Sequence, residues 1–172
     1  MAAELKLEIN PELTIDLVRL ADDVNCVCID DFLLNPGDVV DFAVENSSEF
    51  VMYERAYPGV VMPVIDQAML PLYQFIRAEM SRLFSFCRGG IDFHTQFSLA
   101  TVMPEDFTWI QRLCHSDPRL VPNRQNFAGL LYLFDNPDMG GTGFFRWKDP
   151  EFWQEMSAMQ KDDPQAGLDI LQ

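Results

Sequence analysis

The chain has 172 residues, the length of one domain, and its 48% hydrophobic and 12% aromatic content excludes a disordered polymer and predicts a packed core. Twelve Lys and Arg stand against 27 Asp and Glu, a formal net charge of −15 that repels nucleic-acid phosphates and anionic lipid alike. No nucleic acid and no membrane is therefore expected as a partner. Residues 1–11 alternate charged and apolar side chains without the hydrophobic centre of a signal peptide. The longest apolar run, 127–134, falls well short of the roughly 20 residues that span a bilayer. A cytoplasmic protein is the expectation.

Residues 14–20 mix acidic and apolar positions and read as a short strand or an adaptor segment. Residues 24–32 are β-branched and cysteine-rich, which favours a strand. Cys26 and Cys28, two apart on it, fall on one face. With Cys87 and Cys114 they make four cysteines but no CxxC pair, so structural zinc has no support and small buried residues in a reducing compartment are expected. Asn35-Pro36-Gly37-Asp38 predicts a helix start: Asn35 as cap, Pro36 in the first turn, Asp38 against the helix dipole. That helix carries Val39, Val40, Phe42 and Ala43 and ends near Asn46-Ser47-Ser48.

Tyr57-Pro58-Gly59 is a turn signal, followed by a short apolar piece. An amphipathic helix is predicted over 65–86 from apolar residues at three-to-four spacing, with Pro71 marking either a kink or a start after it. The period then changes to two. Strands are expected over 93–103, 107–114, 127–134 and 142–147, separated by loops at 103–106, 117–126 and 135–141, with a further helix over 151–160. Helices followed by a run of strands predict an α+β arrangement, with helices packed on a strand-rich core.

Two histidines occur, His94 and His115. His115 stands two before Asp117 at a predicted strand end, where an imidazole and a carboxylate can face one cation. This is two-thirds of the two-histidine, one-carboxylate triad that holds non-haem iron. The plain alternative is a surface histidine followed by a turn aspartate. His94 alternates with the Phe face of its strand and is first a surface or core histidine.

The order of elements around His115-Ser116-Asp117 resembles the prolyl-hydroxylase-like branch of the iron(II)/2-oxoglutarate-dependent oxygenase superfamily. Phe127-Ala128-Gly129-Leu130-Leu131-Tyr132-Leu133-Phe134 follows, with Tyr132-Leu133-Phe134 in place of a Tyr-Leu-Asn-like tripeptide. Gly140-Gly141-Thr142 then stands for a Gly-Gly-x-Thr-like turn. The likeness covers about residues 107–147. It implies N-terminal helices packed on a double-stranded β-helix, a jelly roll, with metal ligands at one mouth. It implies Fe(II) as metal, 2-oxoglutarate as co-substrate, oxidative attack on an unactivated C–H bond, and His115 and Asp117 as the first two ligands. The substrate would be a small molecule or a peptidyl side chain.

Gln111, Tyr132 and Arg146 are candidates for the substrate or co-substrate pocket. Arg119 and Arg124 near Asp117 are ordinary ion-pair formers first. The superfamily's second histidine and its following basic residue have no counterpart here: no histidine follows position 115, and Lys161 is the only basic residue in the last 24. The expectation is a single domain, 1–172, forming the N-terminal portion of a longer jelly-roll domain, whose open edge would encourage self-association. A non-catalytic jelly-roll binding module that has lost the triad is the alternative. A third reading is an α+β interaction protein in which His115-Ser116-Asp117 is a turn.

Overall fold

In the computed structural model, the structure describes residues 4–22, 24–52, 57–64, 67–84, 93–108, 110–112, 127–145 and 149. The chain divides into two compact units, Met1–Asn136 and Pro137–Gln172.

In the first unit, apolar and β-branched residues form an opening pair of strands. β1 (Thr14–Ala21) and β2 (Val24–Asp30) pair antiparallel, Leu17 opposite Val27 and Val18 opposite Cys26. The register slips between Arg19 and Ala21, where Arg19 turns its guanidinium onto the Ala21 carbonyl at 3.3 Å and the Asp22 carboxylate at 2.8 Å. Asp31 then takes a left-handed backbone (φ 54°), and its carbonyl accepts a 2.9 Å hydrogen bond from the Asn10 side chain. This reversal lays residues 32–34 beside the N-terminal segment, where Leu34 N–H donates to the Glu8 carbonyl at 2.8 Å and Ile9 bridges Leu33.

α1 (Pro36–Glu45) begins and ends where the sequence predicts, with Asp38 in its first turn. It buries Val39, with Phe42 and Ala43 on the same side, while Val40 and Val44 stay exposed. Asn46 closes it, its backbone and side-chain N–H groups both donating to the Phe42 carbonyl. Asn35, however, makes no capping bond to the helix amides. Its oxygen accepts from Glu8 N–H at 3.0 Å, and its amide donates to the Lys6 carbonyl at 3.0 Å and to Asp38 at 3.3 Å. The side chain ties the helix to residues 6–8 instead of capping it.

A second antiparallel sheet has the order β3-β4-β5: β3 (Val51–Met52), β4 (Gly59–Pro63) and β5 (Gln96–Ala100). Gly59 lies opposite Ala100 and Met62 opposite Phe97. α2 (Leu70–Leu83) starts later than the predicted 65–86 helix, with Pro71 in its first turn, where the missing N–H costs nothing. The helix thus begins one residue before the proline, not after it. Leu5, Leu7, Val39 and Met69 form the buried cluster, with Leu33, Phe42, Val64, Leu72, Phe97 and Leu133 packed against it. Among the described residues the architecture is mixed helix and strand, two helices among small antiparallel sheets, with strands before, between and after the helices.

Three predicted strands are corrected where they are described. Within 107–114, residues Ile110–Arg112 form a one-turn 3-10 helix, after another at Pro104–Asp106. Short-range bonds draw the backbone into turns: Gln111 Oε1 accepts from Thr108 N–H at 2.9 Å, and Arg112 donates to the carbonyls of Phe107 and Glu105 at 3.0 and 3.1 Å. Residues 127–134 form no strand. Side chains anchor them: Phe127 meets Phe84 with ring centroids 5.8 Å apart, Tyr132 meets Phe134 edge-on at 5.4 Å, and Leu133 enters the core periphery. Within 142–147, residues 142–145 form no strand either. The predicted 93–103 strand shortens to β5, bounded by Pro104 at the far side.

In the second unit, Pro137–Met139 makes a single 3-10 turn closed by Gly140 N–H on the Pro137 carbonyl at 3.2 Å. Gly140 has φ +94°, which a side chain strains to adopt, so glycine is required there. The predicted helix over 151–160 lies outside the described residues. No helix among the described residues is long and apolar enough to cross a membrane.

Two groups tie folding to alkaline pH. Burial, then the charge and hydrogen bond of Cys28, raise the Cys26 thiol above its ordinary 9.0, and burial raises Tyr57 above 10.0. Each proton is held more tightly in the folded state. The stabilisation is complete below the ordinary values and is lost as pH rises through the folded ones. Unfolding midpoints should therefore fall from about pH 8 to about pH 10.5, and fall less in a Cys26→Ser variant. An equal slope in both proteins would remove the thiol from this account.

Candidate functional site

Of the residues proposed for a site, His115, Asp117 and Arg146 lie outside the described residues, as do Arg119 and Arg124. Gln111 and Tyr132 are described, and each is set by its own neighbours.

Gln111 sits on the 3-10 turn that follows Phe107, half-buried. Its carbonyl oxygen accepts from Thr108 N–H, and its amide donates to the Tyr57 carbonyl at 3.4 Å. Both ends of the amide thus join the 108–112 turn to the turn that opens β4. Tyr132 is 46% exposed, with its ring against Phe134. Around it Leu130, Leu131 and Phe134 are also exposed, so 127–134 presents an apolar, aromatic surface with one phenol on it.

His94 is exposed, between two residues that hold the start of β5 in place. Phe93 stacks on Tyr73 with centroids 4.2 Å apart, and the Tyr73 hydroxyl meets Thr95 Oγ1 at 2.8 Å. A surface histidine beside a strand is the sequence reading that fits. Among the described residues, no three His, Cys, Asp or Glu side chains converge on a cation position.

One feature escaped sequence reasoning. An open depression of about 390 Å³ is lined by Glu4, Glu8, Asp38, Asp41 and Glu45, with Lys6 and the Phe42 ring. Lys6 pairs with Glu8 at 3.3 Å, leaving the surroundings strongly acidic. The alternation Glu4-Lys6-Glu8 and the helical spacing of Asp38, Asp41 and Glu45 are visible in the sequence. Their meeting is not, because it depends on the Asn35 tie between distant segments.

No curated protein and no solved structure matches the chain. Residues 11–167, nearly the whole chain, match the model of a family of unknown function, DUF6445, and the chain belongs to that family.

Proposed function

We propose that the chain is a non-haem iron(II)/2-oxoglutarate-dependent oxygenase of the hydroxylase type, or a portion of one, built on a jelly-roll framework. The observation that carries this reading is the order of three elements: His115-Ser116-Asp117, the apolar 127–134 segment with Tyr132, and the Gly140-Gly141-Thr142 turn. The left-handed Gly140 supports it, because the first glycine of the turn is then a backbone requirement and not a chance of composition. The donor set fits the metal. An imidazole nitrogen and a carboxylate oxygen are two members of the facial triad that takes Fe(II) and leaves positions open.

In this reading His115 and Asp117 hold the iron. Gln111 fixes the segment leading to them through the Tyr57 carbonyl. Tyr132 offers a phenol hydrogen bond, and Arg146 a guanidinium suited to a carboxylate of the co-substrate. The exposed apolar side chains of 127–134 would exclude water once a small-molecule or peptidyl substrate covers them. Bound iron with 2-oxoglutarate supplies the oxidising chemistry for C–H hydroxylation.

The second reading is a non-catalytic binding module on the same framework. The order of histidines favours it: the superfamily's second histidine stands downstream of the His-x-Asp pair, and no histidine follows His115 in the given sequence. Titration with Fe(II) or Mn(II), with and without 2-oxoglutarate, separates the two. The oxygenase reading expects saturable metal binding strengthened by 2-oxoglutarate. It also expects His115→Ala with Asp117→Ala to weaken binding by more than the roughly 10–100-fold of an outer-shell change. Equal metal binding by wild type and the double variant would sink the iron assignment.

A further inference from the structure

The β1–β2 hairpin carries the one pair of adjacent thiols among the described residues. Cys26 and Cys28 lie two apart on β2, so both side chains leave the same face, opposite Val18 and Asp16 on β1. Cys28 is exposed, Cys26 half-buried, and neither is in a disulfide. Cys26 Sγ lies 3.8 Å from the Val27 carbonyl.

Three ligand chemistries can be weighed against this geometry. Tetrahedral zinc needs four donors, and no third Cys, His, Asp or Glu converges here among the described residues. A disulfide needs the sulfurs about 2.05 Å apart and Cα atoms within about 6.8 Å. Next-nearest residues on a strand stand about 6.4–6.8 Å apart, at the limit of that range, and closing the bond would deform the β1–β2 ladder. A two-coordinate ion is different. At a metal–thiolate distance of about 2.3 Å, a linear S–metal–S unit sets the sulfurs about 4.6 Å apart. Two parallel strand side chains reach that separation without moving the backbone.

We propose that Cys26 and Cys28 form a two-thiolate site for a soft monovalent cation of the Cu(I) class. The step is ligand exchange without redox: the cation binds both sulfurs, and the two S–H protons pass to solvent. Soft thiolates select such ions over the hard cations that carboxylates prefer. The hairpin suits the task because an extended backbone holds both sulfurs in parallel, and exposure at Cys28 gives the ion its entry. The site is independent of His115 and Asp117.

The test is anaerobic titration of the full chain with Cu(I) against a chromogenic Cu(I) chelator, reading stoichiometry, proton release and the ultraviolet thiolate-to-metal band. Three proteins are compared: wild type, Cys26→Ser with Cys28→Ser, and Cys87→Ser with Cys114→Ser, each checked for native circular dichroism. Wild type and the Cys87/Cys114 variant should each take one chelator-resistant Cu(I) and release two protons. The Cys26/Cys28 variant should lose that equivalent, with affinity down at least about a hundredfold. Cys26→Ser alone should lose it too, since one thiolate cannot complete a linear pair. Retention of the tight ion in the Cys26/Cys28 variant, its loss in the Cys87/Cys114 variant, or no chelator-resistant ion in wild type would each overturn the proposal.

Discussion

Gly59→Val should destabilise the chain by at least about 3 kcal/mol, a fall in the unfolding midpoint of roughly 6–12 °C. Gly59 opens β4 directly opposite Ala100. A Cβ at this position would drive into the Leu99 carbonyl oxygen, 2.8 Å from its carbon and 3.0 Å from the Ala100 Cα. Those atoms are backbone and cannot rotate aside, so relief requires separating β4 from β5. The cost spreads from there. Val61 and Met62 are buried on the same strand, and Phe97 on the paired strand lies against the core cluster. Gly37→Ala is the matched control: a Cβ there meets nothing within 4 Å, and Gly37 lies in the first turn of α1. That change should be neutral or stabilise by up to about 1 kcal/mol. Chemical denaturation of both variants decides the matter. Equal stabilities would mean that the β4–β5 register is not the one described.

Asn35 should be the most sensitive polar position outside any site. Its three hydrogen bonds, to Glu8, Lys6 and Asp38, clamp residues 6–8 to the start of α1. Leu5 and Leu7 on that segment belong to the buried cluster, so the clamp holds two apolar side chains in register with Val39. Asn35→Ala should cost about 2–3 kcal/mol, near 1 kcal/mol for each bond. Asn35→Asp separates a clamp from a cap. As helix caps the two residues are nearly interchangeable. In the clamp, a carboxylate still accepts from Glu8 N–H, but it donates to nothing and faces the Asp38 carboxylate. The aspartate variant should therefore be at least as unstable as the alanine variant at neutral pH, measured by urea unfolding. Wild-type stability with aspartate would show that capping suffices.

The sequence made some of this legible and hid the rest for physical reasons. α1 is readable because its start signal, its apolar spacing and its closing Asn46 are local. β2 is readable because a β-branched run needs only near neighbours, whereas the mixed residues 14–20 leave β1 open between a strand and an adaptor segment. Asn35 is readable as special but not for its true task, since Lys6 and Glu8 lie 29 and 27 positions away. Residues 107–112 mimic a strand in composition, yet Gln111 and Arg112 fold the backbone onto Thr108, Phe107 and Glu105. Composition cannot display such side-chain competition. Residues 127–134 mislead differently: apolar and aromatic residues satisfy a strand pattern, but a ladder needs a partner edge, and ring contacts hold this segment instead. Of the candidate site, the sequence suggests Gln111, Tyr132 and Arg146 as proposed surroundings and His115 and Asp117 as proposed ligands. Only Gln111 and Tyr132 fall among the described residues.

The reversal after β2 has a consequence for which letters the chain can tolerate. Asp31 carries a left-handed backbone, and the Asn10 amide grips its carbonyl, so the peptide cannot swing into the ordinary region to ease a bulkier occupant. Handedness rather than acidity governs position 31. Glycine and asparagine fit it at little expense, while valine, isoleucine and threonine meet a penalty of about 1–2 kcal/mol before any contact is counted.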